Sequence, residues 1–466
     1  MVRFSEDQVV KATLGRKIRN GAKLAYEAIC TDTRSLIPGC LFVALVGERF
    51  DGHQFVAQAI RGGAAAAVVQ RGQGLPAMPD SEFALFEVED TLRALGGLAR
   101  FHRCRFQLPV GAITGSNGKT TTKEMVHSIL ATRGPALKTE GNLNNEVGVP
   151  LTLFRLSPTD VAAVIELGMN RPGEIARLTA IAQPDAGLIT AVHPAHLEGL
   201  GTLEGVANAK GELFRGLKAG AVAVVNLDDP LIVSQAEQSD VQMLSFGQHQ
   251  WADVQLREVK LQPPDHLTCL IRYASREYPV RLAFVGEHNA RNAAAAFAMA
   301  SALGYQPQEC VRGLETARPY PGRLRVLIAP GGVTVLDDSY NANPASMEAA
   351  LQTLGALAAG GRPVAVLGDM LELGAQEARE HRALGERSSR TAEVAAFFGP
   401  RSAEAYRAAS RLGERAAHFL DLESLVAWLK PKLRAGDVVL VKASRGMRLE
   451  RAVGALVGDP AAGEGH

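Results

Sequence analysis

The run Thr114-Gly115-Ser116-Asn117-Gly118-Lys119-Thr120-Thr121-Thr122-Lys123-Glu124 constrains this chain more than any other stretch. An apolar segment, Leu108-Pro109-Val110-Gly111-Ala112-Ile113, precedes it and a segment of helical periodicity follows, so a strand, a glycine loop and a helix N-terminus stand in succession. That succession is a phosphate cradle. Glycine lets backbone N–H groups close on a phosphate, and the helix N-terminus adds the positive end of its dipole. Lys119 reaches the outer phosphates and the Thr120 hydroxyl can ligate magnesium. Gly115, Ser116, Asn117, Gly118, Lys119, Thr120 and Thr121 are therefore expected to bind a nucleoside triphosphate. Only Ser116 and Asn117 separate Gly115 from Gly118, a tighter spacing than the common Walker A loop.

A chain of 466 residues is too long for one core and suggests two or three domains. Lys plus Arg total 50 against 49 Asp plus Glu, so no global field favours nucleic acid or an anionic membrane. The local cluster Arg100, His102, Arg103 and Arg105 reads as a solvated helix face. Cys30, Cys40, Cys104, Cys269 and Cys310 are scattered and odd in number, which fits reduced, mostly buried thiols in a cytoplasmic protein. The start, Met1 to Asp7, turns acidic where a secretory signal would turn apolar, and the run Ala293 to Ala302 is too short to span a bilayer. No stable membrane insertion is expected.

Three α/β blocks follow from the pattern: 1–87, 88–318 and 319–466. The first has strands at Gly39 to Leu45 and Ala64 to Val69 around a helix at Phe55 to Arg61. A helix from Thr91 to Phe101 leads to the phosphate loop. The second block alternates helices with buried strands at Val161 to Leu167, Asp185 to Val192 and Ala221 to Asn226, the signature of a parallel sheet. Antiparallel additions are expected within Val254 to Val285, before a helix from Asn289 to Leu303. Strands at Val333 to Leu336, Val364 to Leu367, Ala395 to Phe398 and Val438 to Val441 make the third block Rossmann-like, and the tail Gly458 to His466 reads as loose.

Behind the phosphate loop come Gly141-Asn142-Leu143-Asn144-Asn145, Glu166-Leu167-Gly168 at a strand end, and His196-Leu197-Glu198-Gly199 after the next strand. Strand ends are where open α/β sheets place ligands. The loop form resembles that of the Mur ligase family and its folylpolyglutamate synthase relatives, and the resemblance spreads over about residues 30 to 450. It is carried also by Thr31-Asp32-Thr33-Arg34-Ser35, Gly47-Glu48-Arg49-Phe50-Asp51-Gly52-His53, Ala209-Lys210-Gly211-Glu212 and Gly286-x-His288-Asn289-x-x-Asn292. Pro321-Gly322-Arg323, Asp337-Asp338-Ser339-Tyr340-Asn341-Ala342-Asn343-Pro344, Leu367-Gly368-Asp369-Met370 and Val441-Lys442-x-Ser444-Arg445 complete it. Ala443 stands where the family pattern has glycine, and Arg171-Pro172 varies the loop after Glu166.

The resemblance implies a three-domain α/β ligase with a small N-terminal domain for the UDP end of its substrate, a central P-loop domain for ATP and a C-terminal Rossmann-like domain. The implied reaction transfers the γ-phosphoryl group of ATP to the terminal carboxylate of UDP-N-acetylmuramoyl-tripeptide. The amine of D-alanyl-D-alanine then attacks the acyl phosphate. By the same resemblance Lys119, Glu166, His196 and Lys210 are catalytic, and Thr120, Glu166, His196 and a carbamylated Lys210 hold Mg2+. Asn289 and Asn292 are expected at adenine, and Arg323, Asp338 and Asn343 over the phosphates and ribose. Thr33, Arg34, Arg49, Asn142, Asn145, Tyr340, Lys442, Ser444 and Arg445 are expected to meet the other substrates, in a cytoplasmic monomer. The alternatives are a diaminopimelate- or lysine-adding ligase of the same family, folylpolyglutamate synthase, and, in another class, a P-loop switch or ATP-dependent binding module.

Overall fold

A computed structural model describes residues 2–47, 50–75, 83–194 and 200–458. Its strands assemble into three larger sheets of five, nine and six strands and one two-stranded ribbon. In the N-terminal unit, Ile29–Cys30, Leu41–Val43, Ala66–Gln70 and Ala84–Val88 run parallel, with Arg16–Arg19 antiparallel on the edge. The two-stranded ribbon pairs Phe4–Ser5 with Ala25–Tyr26. Asp90 caps the linking helix Thr91–Arg103 by accepting from Leu92 and Arg93 N–H.

The cluster at the end of that helix corrects the sequence expectation. Arg100 and Arg105 are exposed, but His102 and Arg103 are buried. Arg103 donates to the carbonyls of Ala182, Phe106, Leu108 and Gln183, and its guanidinium lies 3.6 Å from Asp185. His102 sits among the rings of Phe4, Phe106 and Phe154. Arg103 thus fastens the helix to the second unit through buried carbonyl and carboxylate partners, and His102 packs between Phe4 of the first unit and Phe154 of the second.

In the central sheet the P-loop strand Val110–Thr114 lies between Ala162–Glu166 and Ala186–Ile189, all parallel. Chain order reverses around this strand, since the next strands, Ala136–Lys138 and Ala162–Glu166, lie on one side and Ala186–Ile189 and Val222–Asn226 on the other. Such a reversal opens a crevice beyond the strands' carboxyl ends. Register aligns those ends, with Glu166 opposite Ile113 and Ile189 alongside Thr114. The expected antiparallel additions are His266–Tyr273 and Arg276–Leu282, beside Val254–Gln262. Both faces of the sheet are buried. Met125, Val126, Ile129 and the alanine-rich helix Glu287–Ala302 cover one, and Ile175, Leu178, Leu213 and Phe214 the other. Each fully buried Leu, Ile or Phe there contributes about 1.5–3 kcal/mol.

The C-terminal sheet orders Arg325–Ala329, Val333–Asp338, Val438–Lys442, Pro363–Gly368, Val394–Phe398 and Ala416–Phe419. Its first strand is antiparallel and the rest parallel. The register puts Asp338 opposite Lys442 at the edge facing the P-loop unit. No helix among the described residues is long and apolar enough to cross a membrane.

Candidate active site

The phosphate loop is shaped by two glycines. Gly115 has φ 150° and Gly118, which caps the helix Lys119–Leu130, has φ 80°. A Cβ at Gly115 would lie 1.9 Å from Thr190 Oγ1, and one at Gly118 2.5 Å from Asn292 Oδ1, so neither position has room for a side chain. Ser116 N–H donates to the Ala191 carbonyl and its hydroxyl to the His193 carbonyl, tying the loop to the neighbouring strand end. Lys119 Nζ folds back onto the Gly115 carbonyl at 2.7 Å. Burial and the Arg323 charge lower the Lys119 pKa, while Glu166 opposes them.

Thr120 Oγ1 donates to Glu166 Oε2 at 3.1 Å, and Asn144 Nδ2 to Glu166 Oε1 at 2.9 Å. Glu166 N–H is held by Thr139 Oγ1 at 2.9 Å. A hydroxyl from a helix N-terminus and a carboxylate from a strand end, both nearly buried, thus share one spot. Hard oxygen donors in that arrangement suit magnesium. Lys210, on the helix Leu203–Arg215, is 2 % exposed rather than a solvated helix lysine. Burial, with Lys119 nearby, drives its pKa well below the ordinary lysine value. His196 and Arg49 lie outside the described residues.

The loop separates two cavities. One, of ≈ 540 Å³, is lined by Asn117, Gly118, Thr121, His193, Asn289, Asn292, Arg323, Asp338 and Lys442. The other, of ≈ 450 Å³, is lined by Ser116, Lys119, Asn341, Asn343, Glu372, Ser444 and Arg445. Asn117 and Asn343 pair their amides across the unit boundary, with Asn343 Nδ2 donating to Asn117 Oδ1 at 2.7 Å. Asn343 Oδ1 also caps the helix Pro344–Leu357. Asp338 accepts from Lys442 Nζ at 2.6 Å and from Leu324 N–H. The Arg323 guanidinium stands 4.2 Å from the Tyr340 ring, with Arg445 5.3 Å from the same ring. Arg323 Nε is buried with no hydrogen-bond acceptor, a donor suited to an anionic ligand.

The remaining expected residues are placed as follows. Asn289 is 3 % exposed, donates to the Val285 carbonyl and accepts from Asn292, and so braces Asn292 on the wall of the larger cavity. Asn145 Oδ1 accepts from Val147 and Gly148 N–H at the start of the helix Gly148–Leu153, so that oxygen serves a cap. Asn142 is exposed beside it. Thr33 and Arg34 lie on the 3-10 turn Thr33–Ser35 of the N-terminal unit, where Arg34 is bound to Asp32, and neither lines either cavity. Ser444 Oγ accepts from Leu371 N–H and shapes the second cavity's wall.

Sequence reasoning did not single out Asn144, Thr139, Thr190 or Lys123 as site residues. Asn144 and Lys123 stand within the runs Gly141–Asn145 and Thr114–Glu124. All four also act on partners that only the fold brings together, for which a single chain carries no signal.

This geometry agrees with comparisons to known proteins. The chain matches the Mur ligase middle domain over residues 113–300, the Mur ligase glutamate ligase domain over 322–445 and the Mur ligase family catalytic domain over 25–103. It is 39% identical over 440 residues to the UDP-N-acetylmuramoyl-tripeptide--D-alanyl-D-alanine ligase of Escherichia coli (strain K12), covering 94% of this chain and 95% of that one. The crystal structure of MurF from Acinetobacter baumannii superposes with a TM-score of 0.88 at 35% identity, over 98% of this chain and 100% of that chain. MurF from Thermotoga maritima, solved in complex with ADP, gives 0.82 at 30% identity over 93% and 98%. The chain belongs to the Mur ligase family, in the branch of the UDP-N-acetylmuramoyl-tripeptide--D-alanyl-D-alanine ligases.

Proposed function

We propose that this chain joins D-alanyl-D-alanine to UDP-N-acetylmuramoyl-tripeptide at the expense of ATP, giving UDP-N-acetylmuramoyl-pentapeptide, ADP and phosphate. The observation that carries the reading is the P-loop standing between two polar cavities, Gly118 facing one and Lys119 the other. Nucleotide in the larger cavity would direct its γ-phosphate toward the smaller one, where a carboxylate acceptor and an amine can meet it. A free carboxylate is a poor electrophile, so the terminal carboxylate of the tripeptide first takes the γ-phosphoryl group. The dipeptide amine then attacks that carbonyl, loses a proton, and phosphate departs from the tetrahedral intermediate.

Phosphoryl transfer needs positioning and charge neutralisation more than covalent help. Lys119 supplies charge at the outer phosphates, and Arg323, with its unused Nε, supplies it from the C-terminal side. Asn117 and Asn343 hold the two sides together. Thr120 and Glu166 would hold magnesium, and His196 would join them by its match to the family motif. The ion, when bound, would offset the mutual repulsion of carboxylate and phosphate. Lys210, buried and biased toward its neutral amine, can add carbon dioxide and release a proton to become an anionic carbamate. Ser444 and Arg445 line the acceptor cavity, with Arg445 over the Tyr340 ring, while Lys442 lines the nucleotide cavity beside Asp338. The expected division is 1–87 for the UDP end, 88–318 for ATP and 319–466 for closure, in a cytoplasmic monomer.

The test is incubation with ATP, magnesium, UDP-N-acetylmuramoyl-tripeptide and D-alanyl-D-alanine, read by mass. The pentapeptide should form only when all four are present. Failure to find it, with ATP hydrolysed regardless of acceptors, would return the chain to the class of P-loop switches.

A further inference from the structure

Lys123 takes no part in the reaction described above, yet it is among the most buried cations of the chain. Its position one turn beyond Lys119 on the helix Lys119–Leu130 turns it into the sheet, where it is 0 % exposed. Nζ donates to the Thr139 carbonyl at 2.7 Å, and lies 3.1 Å from Glu124 Oε1 and 4.0 Å from Glu166 Oε2. Glu124 is shared with Lys138, which also bonds it. A buried ammonium is tolerated only where carboxylates and carbonyls compensate it. Part of that compensation comes from Glu166, the carboxylate that already faces Thr120 and Asn144.

We propose that Lys123 is a positioning residue that holds a fixed positive charge against Glu166 and so keeps divalent-cation binding too weak to occur until nucleotide is bound. The proposal rests on the reading of Thr120 and Glu166 as magnesium ligands. In the nucleotide-free protein Glu166 is faced by Lys123 and by the charge of Lys119. A dication arriving there meets a carboxylate already faced by the Lys119 charge and by a Lys123 that it shares with Glu124, and gains little. A bound triphosphate adds several negative charges and gives Lys119 phosphate oxygens to neutralise. The local field then changes sign and the cation is drawn in. Lys123 cannot follow, because the Thr139 carbonyl pins it in a closed interior, so its charge weighs on both states equally. The consequence is ordered loading: metal enters with or after nucleotide, never before it.

The test uses Mn2+ as the probe, with free and bound ion counted by electron paramagnetic resonance on the whole purified chain. Wild type should bind Mn2+ weakly alone and at least tenfold more tightly with a non-hydrolysable ATP analogue, against a protein-free analogue control. Lys123→Met keeps the side chain to the position of Cε, lacking only the ammonium, and leaves Glu124 paired with Lys138. It should bind Mn2+ at least tenfold more tightly than wild type without nucleotide. Glu124→Gln has the opposite sign, since it returns the whole Lys123 charge to Glu166, and should weaken Mn2+ binding severalfold in the presence of the analogue. If Lys123→Met folds and binds Mn2+ no better than wild type alone, the inference is overturned. If Lys123→Met does not fold, an unchanged affinity in Glu124→Gln overturns it. A purely structural lysine would shift the melting temperature without moving nucleotide-free Mn2+ binding. If wild type with the analogue holds no Mn2+ beyond the control, the magnesium reading itself fails, and the inference with it.

Discussion

At the scale of single residues, charge placement decides the chemistry. Lys119 lies on the loop between the two cavities, so Lys119→Ala should leave the fold intact and remove one phosphate-neutralising cation. A loss of roughly 10²–10³ in kcat is expected for one preorganised electrostatic group. Near wild-type turnover, with an unchanged melting temperature, would remove Lys119 from the mechanism. Lys210 makes a sharper case, because a buried cation beside Lys119 is costly whereas a carbamate there would be neutralised. Lys210→Ala should lose most activity, and short carboxylic acids should restore part of it. Full activity of the alanine variant in carbon-dioxide-depleted buffer would reduce Lys210 to a packing residue. Lys119, Thr120 and Glu166 could be read from the chain because a P-loop and a strand end are local patterns. The burial of Lys123 and Lys210, and the grip of Thr139 on Glu166, depend on which strands become neighbours. Composition and periodicity hold no record of that.

At the scale of elements, the same oxygen can serve a ligand or a helix. Asn145 Oδ1 takes the N–H of Val147, just ahead of the helix Gly148–Leu153, and that of Gly148, its first residue, which has no intrahelical partner. Asn145→Ala should therefore cost about 1 kcal/mol of stability, seen as a lower melting temperature, with the KM for each substrate within about twofold of wild type. A large rise in KM at unchanged stability would restore it to the substrate site. Buried parallel strands such as Val394–Phe398 and Val438–Lys442 were legible because continuous apolar runs between turn residues admit few other readings. The antiparallel edge strand Arg325–Ala329 was not, since its residues are mostly half-exposed and its place is set by pairing with Val333–Asp338. The two-residue strands of the N-terminal unit are too short to show any period.

At the scale of the whole molecule, function depends on three units held in register by few groups. The amide pair of Asn117 and Asn343 joins the P-loop to the C-terminal unit, and the nucleotide cavity draws its walls from both. Nucleotide analogue and tripeptide substrate should therefore compact the chain in solution. Identical small-angle scattering with and without them would count against closure. The junctions should also be acid-sensitive, because one contains a buried imidazole and the other a half-buried one. Burial pushes His102, between Phe4 of the first unit and Phe154 of the second, down to about 4, and burial with Lys442 and Arg291 nearby does the same to His288 beside the helix Pro344–Leu357. A histidine whose pKa is lower folded than unfolded binds more protons when unfolded, so stability falls as pH drops through the unfolded value near 6.5 and levels off below the folded value near 4. For His102 the difference corresponds to about 3 kcal/mol, reached over that window. His102→Gln, which cannot titrate, should be less stable than wild type at pH 7.5 but should lose less stability by pH 4.5. Parallel stability curves for the two proteins from pH 7.5 to 4.5 would show that acid acts elsewhere than at the first junction.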